Sequence, residues 1–292
     1  MLTGAEQAGS DRMKHDVMYL AGTVGERNTS TPEALAKAEE HIFRRFTELG
    51  YGITLDTYPA GGKAVSNISA IKSGHTKPEE IIVIGAHYDS APGTPGADDN
   101  ASGVAVLLEL ARHFKDYKPE CTIHFTAFVN EEPPYFQTDL MGSHVYALGC
   151  RARNEKITGM LCLESLGCFS SMPHSQLYPP PLERLYPDKA DFIAFCSNIA
   201  SYPLLRRCIK CFRATTQFPS EGLVAPEKFA SIGWSDHWAF WQAGYPAIMI
   251  TDTAFFRNAR YHLRTDTPDS LDFGRMARVT EGLKAVISNL SR

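Results

Sequence analysis

The chain has 292 residues, of which 43% are hydrophobic and 21% are charged, so it is long and apolar enough to bury a substantial core. Its net charge of −4 at pH 7 argues against a nucleic-acid partner, because such proteins carry a basic surface. The N-terminal residues lack the basic and apolar regions of a signal peptide. No run approaches the roughly 20 apolar residues of a membrane span. We therefore expect a cytoplasmic protein without membrane contact.

Helical and strand patterns alternate along the chain. A helix is predicted over residues 31–49, where Thr31 and Pro32 suit the first turn and apolar residues recur at helical spacing. The other predicted elements are strands at 51–58, 66–72 and 80–86, a helix at 103–114, strands at 122–129 and 157–163, a helix at 191–200, a strand at 245–251 and a helix at 275–290. This alternation predicts an α/β fold, a three-layer α/β/α sandwich around a mixed, mostly parallel sheet.

The whole chain, residues 1–292, is expected to form a single catalytic domain. Residues 168–234 interrupt the alternation, and three consecutive prolines at 179–181 mark an irregular course there. We interpret this segment as an insertion over the carboxyl edge of the sheet. Such an insertion can shape a pocket, or it can be a surface elaboration without a role in recognition.

Several side chains that bind metal ions lie just beyond predicted strands. They are His87, the adjacent pair Glu131 and Glu132, and Glu164. Because the carboxyl ends of parallel strands meet at one edge of a sheet, we expect these side chains to lie close together. Imidazole nitrogens and carboxylate oxygens are ligands of zinc, so the pattern predicts a zinc-dependent hydrolase.

Neighbouring carboxylates can complete such a site. Asp98 or Asp99, before the helix at 103–114, can bridge two zinc ions and offset their mutual repulsion. Asp89 lies two residues after His87 and can accept the second N–H of its imidazole. Of two adjacent glutamates at a turn, one can bind metal while the other takes a proton from the attacking water.

The ordered set of motifs resembles the zinc aminopeptidase family that includes the secreted bacterial leucyl aminopeptidases and glutamate carboxypeptidase, with the glutaminyl cyclases as near relatives. The resemblance extends from about residue 30 to the C-terminus. It implies two zinc ions and peptide substrates. It implies five metal ligands, which are His87, Asp99, Glu132, Glu164 and His262. Glu131 would be the general base, and Asp98 would support the ligands without binding metal.

Glu164 departs from the family pattern, which usually has Asp at this place. Both residues offer the same oxygen chemistry, and we expect Glu164 to bind the same ion as His87. If it did not bind, the site would hold effectively one metal ion, as the resemblance implies for the cyclases.

Ser235, Asp236, His237 and Trp238 form a further recurring element. In relatives an Asp-His pair of this kind lines the pocket, which implies that His237 lies near the substrate carbonyl and that Asp236 supports the site. The alternative is that Asp236 only caps the aromatic helix that follows.

These features predict an aminopeptidase that hydrolyses N-terminal residues from peptides. The first alternative is an acyltransferase of the glutaminyl cyclase type, with a single zinc held by Asp99, Glu132 and His262. The loop between Glu132 and Gly142 resembles that of cyclases, whereas the stretch at 98–103 is typical of the peptidases. The second alternative is a non-catalytic relative. Within the peptidases, a dipeptidase or carboxypeptidase specificity stays open. The side-chain specificity and the physiological metal do not follow from the sequence, since zinc, manganese and cobalt all accept these ligands.

Overall fold

A computed structural model of the chain describes residues 2–229 and 231–292. Eight strands in these ranges form one sheet. In chain order they are β1 (Gly52–Ala60), β2 (Lys63–Lys72), β3 (Lys77–His87), β4 (Cys121–Phe128), β5 (Lys156–Glu164), β6 (Ile193–Ser197), β7 (Ser220–Val224) and β8 (Ala247–Thr251). Their spatial order is β1-β2-β4-β3-β5-β8-β6-β7, and four of the seven pairings described are parallel. The prediction of a mixed, mostly parallel sheet is confirmed.

Helices cover both faces of this sheet. They are α1 (Gly4–Val17), α2 (Pro32–Glu48), α3 (Gly103–Phe114), α4 (Gly142–Ala152), α5 (Tyr202–Thr215), α6 (His237–Gln242) and α7 (Phe273–Leu290). Short helical turns occupy Met18–Val24, Ala97–Ser102, Leu182–Arg184, Ala254–Phe256 and Pro268–Ser270. Among the described residues, none of these helices is both long and apolar enough to cross a bilayer.

The central strand β3 divides the core in two. Its residues Ile82 and Ile84 pack in one buried cluster with α1, α2, α3, α5 and α7. The alternate residues Ile81 and Val83 pack in a second cluster with α4 and α6. Burial of each such side chain contributes about 1.5–3 kcal/mol relative to its exposure, which explains why the strand is apolar throughout. The three-layer sandwich is therefore confirmed.

The chain opens with a helix that was not anticipated from the sequence. Thr3 and Glu6 form a reciprocal capping box at the start of α1. Inside the fold, α1 buries Met13 and Val17 in the larger cluster. The sequence signal was present as Thr and Glu three residues apart, but the following residues show only a weak apolar stripe.

The prediction of a helix at 191–200 is wrong. Residues Ile193–Ser197 form β6, and the helix α5 starts later, at Tyr202. Ile193 and Phe195 pack in one core cluster, whereas Ala194 and Cys196 pack in the other. The short apolar run is thus buried on both faces, and such a run cannot be told from a helical segment by periodicity alone.

The segment 168–234 is less irregular than the sequence suggests. It supplies β6, α5 and β7, which extend the sheet at one edge. Only its flanks, 168–192 and 225–234, are mostly loops, and residue 230 lies outside the described residues. These loops pass over the side of the sheet on which Glu164 lies.

Candidate metal centre

Parallel strands bring the candidate ligands to one edge of the sheet. His87 is the last residue of β3, and Glu164 is the last residue of β5. Strand β3 runs parallel to both of its neighbours, β4 and β5. Glu131 and Glu132 follow the end of β4 after a turn at Asn130, whose backbone is left-handed (φ 59°). The predicted convergence at a carboxyl edge is the observed geometry.

Asp99 reaches the same edge from the loop before α3. The Asp266 carboxylate accepts the backbone N–H of Asp98 (3.1 Å) and of Asp99 (3.2 Å). On the other side, the Asn100 amide donates to the Leu163 carbonyl at the end of β5 (2.9 Å). Because the loop is tied on both sides of Asp99, the orientation of its carboxylate is fixed.

The five predicted ligands form two groups that share Asp99. In the first group, the His87 Nε2 atom lies 3.2 Å from Asp99 Oδ1 and 3.3 Å from Glu164 Oε2. In the second group, the His262 Nε2 atom lies 3.0 Å from Asp99 Oδ2 and 3.3 Å from Glu132 Oε2. Asp99 therefore offers one oxygen to each group. We call them the His87 triad and the His262 triad.

The donor atoms of both triads fit zinc. Ligands about 2.0–2.1 Å from a tetrahedral zinc ion lie about 3.3 Å from one another, which matches the observed separations. The Nε2 atoms of His87 and His262 and the Oε1 atom of Glu132 are buried without a hydrogen-bond partner among the described residues. A buried polar atom without a partner is costly, and a bound cation removes that cost for a ligand atom.

Charge also calls for a cation here. Burial raises the pKa of Glu131, and Glu132 and Glu164 raise it further. Burial likewise raises the pKa of Glu132 to about 8, with a further contribution from Asp99. Several carboxylates thus crowd a dry site in which their mutual repulsion disfavours the ionised forms, and divalent cations would reverse this.

Glu131 lies beside the triads and outside both pairs of short contacts. Its Oε2 atom is 3.9 Å from His87 Nε2. The Asp89 carboxylate accepts the backbone N–H of Glu131 (3.2 Å) and of Glu132 (3.1 Å), and it lies 3.4 Å from His87 Nδ1. Asp89 thereby orients His87 and both glutamates at once, as a carboxylate next to a metal-binding histidine does.

Asp98 points away from the triads. Its carboxylate accepts the backbone N–H of Gly167 (2.9 Å) and the side-chain amide of Asn258 (2.8 Å). Burial raises its pKa to about 6. The structure therefore places Asp98 as a support for the loop that carries Asp99 and offers neither of its oxygens to a triad.

Asp236 and His237 are both buried, but they differ in their hydrogen bonds and in the direction of their pKa shifts. Burial raises the pKa of Asp236 to about 7 while the charge of His87 lowers it, and its side chain makes no capping hydrogen bond to α6. The Nε2 atom of His237 lies 2.7 Å from the Ile232 carbonyl oxygen, which can only accept, so Nε2 carries the proton. Burial lowers the pKa of His237 to about 4. The ring is thus neutral, its one N–H is occupied, and no contact joins it to either triad among the described residues.

Three contributions to the site were not predicted from the sequence, and the first is that of Arg27. This side chain is fully buried and donates to the carbonyls of Tyr88 (2.6 Å), Pro95 (2.5 Å) and Gly96 (2.9 Å). Burial lowers its pKa to about 10, so it stays charged near neutral pH. Arg27 holds both ends of the loop between His87 and Asp99, and a single arginine among polar residues gives no hint of that position.

The second feature is a pair of serine hydroxyls on Glu164. Ser165 Oγ donates to Glu164 Oε1 (3.0 Å), and Ser235 Oγ donates to Glu164 Oε2 (2.6 Å). Both serines are fully buried. The Oε2 atom is also the one that lies 3.3 Å from His87 Nε2, so the two hydroxyl groups hold the longer glutamate side chain next to His87.

The third feature is Tyr261. Its ring stacks on that of His262, with centroids 3.9 Å apart and planes at 13°. Burial raises the pKa of Tyr261, and the charges of Asp99 and Glu132 raise it further. The phenol therefore keeps its proton beside the triads and can donate a hydrogen bond.

A pocket opens beside Glu164 and Tyr261. Its walls are mainly aromatic and aliphatic, and many come from the segment 168–234. They include Tyr178, Leu182, Tyr186, Phe192, Trp234 and Phe255. The segment thus shapes a cavity directly next to the candidate metal centre.

Comparisons with known proteins identify the family of the chain. Residues 67–287 match the sequence model of the family described as Peptidase family M28. The chain is 39% identical to the uncharacterized protein YfbL of Escherichia coli K12 over 291 residues, covering 97% of this chain and 88% of that protein. It is 38% identical over 111 residues to a probable zinc metalloprotease of Pyrenophora tritici-repentis, covering 35% of this chain and only 24% of that protein.

Solved structures show the same fold at low sequence identity. The zinc aminopeptidase BSAP from Bacillus subtilis aligns with a TM-score of 0.78 and 15% identity, over 97% of this chain and 95% of its own. The glutaminyl cyclase of Fimbriiglobus ruber aligns with a TM-score of 0.70 and 20% identity, over 96% of this chain and 94% of its own. At these identities the likeness concerns the fold alone.

Proposed function

Because the chain belongs to peptidase family M28 and is a zinc metallopeptidase, we propose that it is an aminopeptidase with two zinc ions that hydrolyses N-terminal residues from peptides. One observation carries this proposal. Asp99 directs one carboxylate oxygen to each of two ligand triads, while Glu131 remains free next to them. This arrangement supplies two adjacent cation sites and a separate base.

In this proposal one ion would be held by His87, Asp99 and Glu164, and the other by Asp99, Glu132 and His262. Zinc held there would supply a Lewis acid for the scissile carbonyl and would lower the pKa of water toward neutrality.

Glu131 serves as the general base and then as the general acid. It accepts a proton from the attacking water and donates that proton to the amine that leaves. The Asp89 carboxylate accepts the backbone N–H of Glu131, which fixes the backbone from which this side chain extends. The absence of a short contact with either histidine leaves this carboxylate available for water.

Tyr261 is the better candidate for stabilising the oxyanion. Its phenol lies at the border of the pocket and keeps its proton. His237, predicted from the sequence for this role, already donates its one N–H to the Ile232 carbonyl. A role for His237 at the substrate would require the proton to move to Nδ1, and it stays a prediction.

The glutaminyl cyclase alternative needs only the His262 triad. The His87 triad is nevertheless complete here, with donor separations as short as those of the other triad. This observation favours the two-metal peptidase. The same completeness counts against a non-catalytic relative. A cytoplasmic location and the lack of a nucleic-acid partner stay predictions.

Mass spectrometry of a mixed peptide panel incubated with zinc-loaded protein tests the proposal. The panel includes peptides that begin with Gln. We expect stepwise loss of N-terminal residues, together with about two zinc ions per chain in a parallel metal analysis.

Glu131→Gln is the matched control, because it removes the base and keeps the shape of the side chain. Turnover should fall by roughly 10²–10⁴ while zinc content is kept. Loss of ammonia from the Gln peptides alone would instead identify a cyclase. Full activity of the Glu131→Gln protein would remove Glu131 as the base.

A further inference from the structure

The floor of the pocket is a row of residues across four neighbouring strands. Glu164 on β5 is in register with Thr251 on β8, Thr251 with Ala194 on β6, and Ala194 with Glu221 on β7. All four residues line the pocket. Partners in register point to the same face of a sheet, so this row runs from a metal ligand at one end to a second carboxylate at the other.

Glu221 is an incompletely paired carboxylate. The nearest cationic atom is Nη2 of Arg213, at 3.8 Å, and the Arg213 guanidinium already donates to the Ser220 side chain and carbonyl. No hydrogen bond to the Glu221 side chain occurs within residues 2–229 and 231–292. Its side chain is 32% exposed, and burial raises its pKa. An additional cation would therefore be stabilised there.

The length of the row matches a long side chain. Three strand spacings of about 4.8 Å separate Glu164 from Glu221 by about 14 Å. A substrate whose first residue lies over Glu164 extends a lysine side chain by on the order of 6 Å, and the glutamate reaches back by about 4 Å. A hydrogen-bonded ion pair of about 2.8 Å brings the total to about 13 Å, which is close to the length of the row. Ala194, in the middle of the row, leaves this path open.

The walls suit the stem of such a side chain. The hydroxyl groups of Tyr178 and Tyr186 donate to the backbone carbonyls of Pro187 (2.7 Å) and Gly222 (2.8 Å), so the backbone fixes the position of both rings. Their rings stack with centroids 5.8 Å apart. Aromatic walls cover the methylene groups of lysine or arginine and attract the cationic end.

From this geometry we infer that the pocket selects peptides whose N-terminal residue has a long cationic side chain, lysine or arginine, with Glu221 as the residue that determines this preference. The inference rests on the proposed aminopeptidase function, because it assigns the pocket to the first residue of the substrate. It names a substrate class that the metal centre does not define.

Lysine and norleucine are the matched probes, because they share the stem and differ in the terminal ammonium. We would measure kcat/KM of the zinc-loaded protein for fluorogenic amides of lysine, arginine, norleucine, leucine and phenylalanine. The expected result is a preference for lysine over norleucine of about two- to fivefold, which corresponds to the usual strength of a partly exposed ion pair. A ratio of one or less would overturn the inference and indicate a pocket for apolar residues.

Two variants should move this ratio in opposite directions. Glu221→Gln is expected to reduce the lysine-to-norleucine ratio to about one. Arg213→Gln is expected to increase it, because it removes the competing cation. Glu227→Gln, in the same segment but outside the pocket lining, serves as the control and should not alter the ratio. An unaltered ratio in Glu221→Gln would exclude Glu221 as the determinant.

Binding separates this inference from the proposed function. Calorimetry with zinc-loaded Glu131→Gln protein compares a peptide that begins with lysine with the same peptide that begins with norleucine. If no amide is hydrolysed but lysine binds more tightly in a manner that depends on Glu221, the aminopeptidase proposal fails and the assignment of the pocket stands. If the amides are hydrolysed without a preference for lysine, only the inference fails.

Discussion

The two triads that share Asp99 differ in how the fold holds them. In the His87 triad, His87 and Glu164 end adjacent strands and are almost fully buried, with side-chain exposures of 1% and 7%. In the His262 triad, His262 lies on a loop in a left-handed backbone conformation (φ 57°), and its side chain is 35% exposed. One triad is therefore part of the sheet, whereas the other is completed by a loop at the surface.

This difference predicts that ions bound at the two triads exchange at different rates. A ligand at the end of a central strand cannot move without disturbing the core, so an ion bound by the His87 triad should exchange slowly. A ligand on a partly exposed loop can swing away, so an ion bound by the His262 triad should exchange faster. Variants of the ligands and of the residues that hold them test whether the two sites differ in zinc affinity and exchange.

The largest effect is expected for the residue that both triads share. Asp99→Ala should remove a ligand from both sites, so that bound zinc falls well below one ion per chain and activity falls by about 10³ or more. Asp116→Ala is the control, because the Asp116 side chain is 89% exposed and pairs with Lys115, which belongs to neither triad. Retention of two ions by Asp99→Ala, measured by metal analysis, would contradict the bridging role.

A smaller effect is expected for each histidine, and it should differ between them. His87→Ala and His262→Ala should each lose one ion and keep the other, with activity reduced in both. With a chelator added, the unmodified protein should release zinc in a fast and a slow phase. The fast phase should be absent from His262→Ala and present in His87→Ala. Loss of both ions in either variant would show that the triads do not bind independently.

The smallest effect is expected for the serine that holds Glu164. Ser235→Ala should weaken zinc binding at the His87 triad by about tenfold, because residues that support a ligand typically contribute 10–100-fold to metal affinity. Calorimetric zinc titration measures this change, because the zinc affinity of the His262 triad should stay the same. Ser235→Thr, which retains the hydroxyl, should restore much of the affinity. Equal weakening of both sites would indicate a general loss of structure.

Much of the candidate metal centre could be predicted because its residues follow strong strand patterns. His87, Glu131, Glu132 and Glu164 lie at or beyond the ends of buried apolar runs, and the topology of parallel strands brings such ends together. The prediction from sequence was wrong for the short apolar run Ile193–Ser197, which is buried on both faces. There the choice between strand and helix depends on neighbours that are distant in the chain.

The sequence by itself determined the sandwich, the candidate ligands and the class of chemistry, because periodicity and local motifs are properties of neighbouring residues. Only the tertiary structure decided that Asp99 faces both triads, that Arg27 and the two serines support the site, and that Glu221 lies in line with Glu164. These relations join residues that are far apart in the chain. They arise from strand order and register, which packing of the whole core selects and no local pattern encodes.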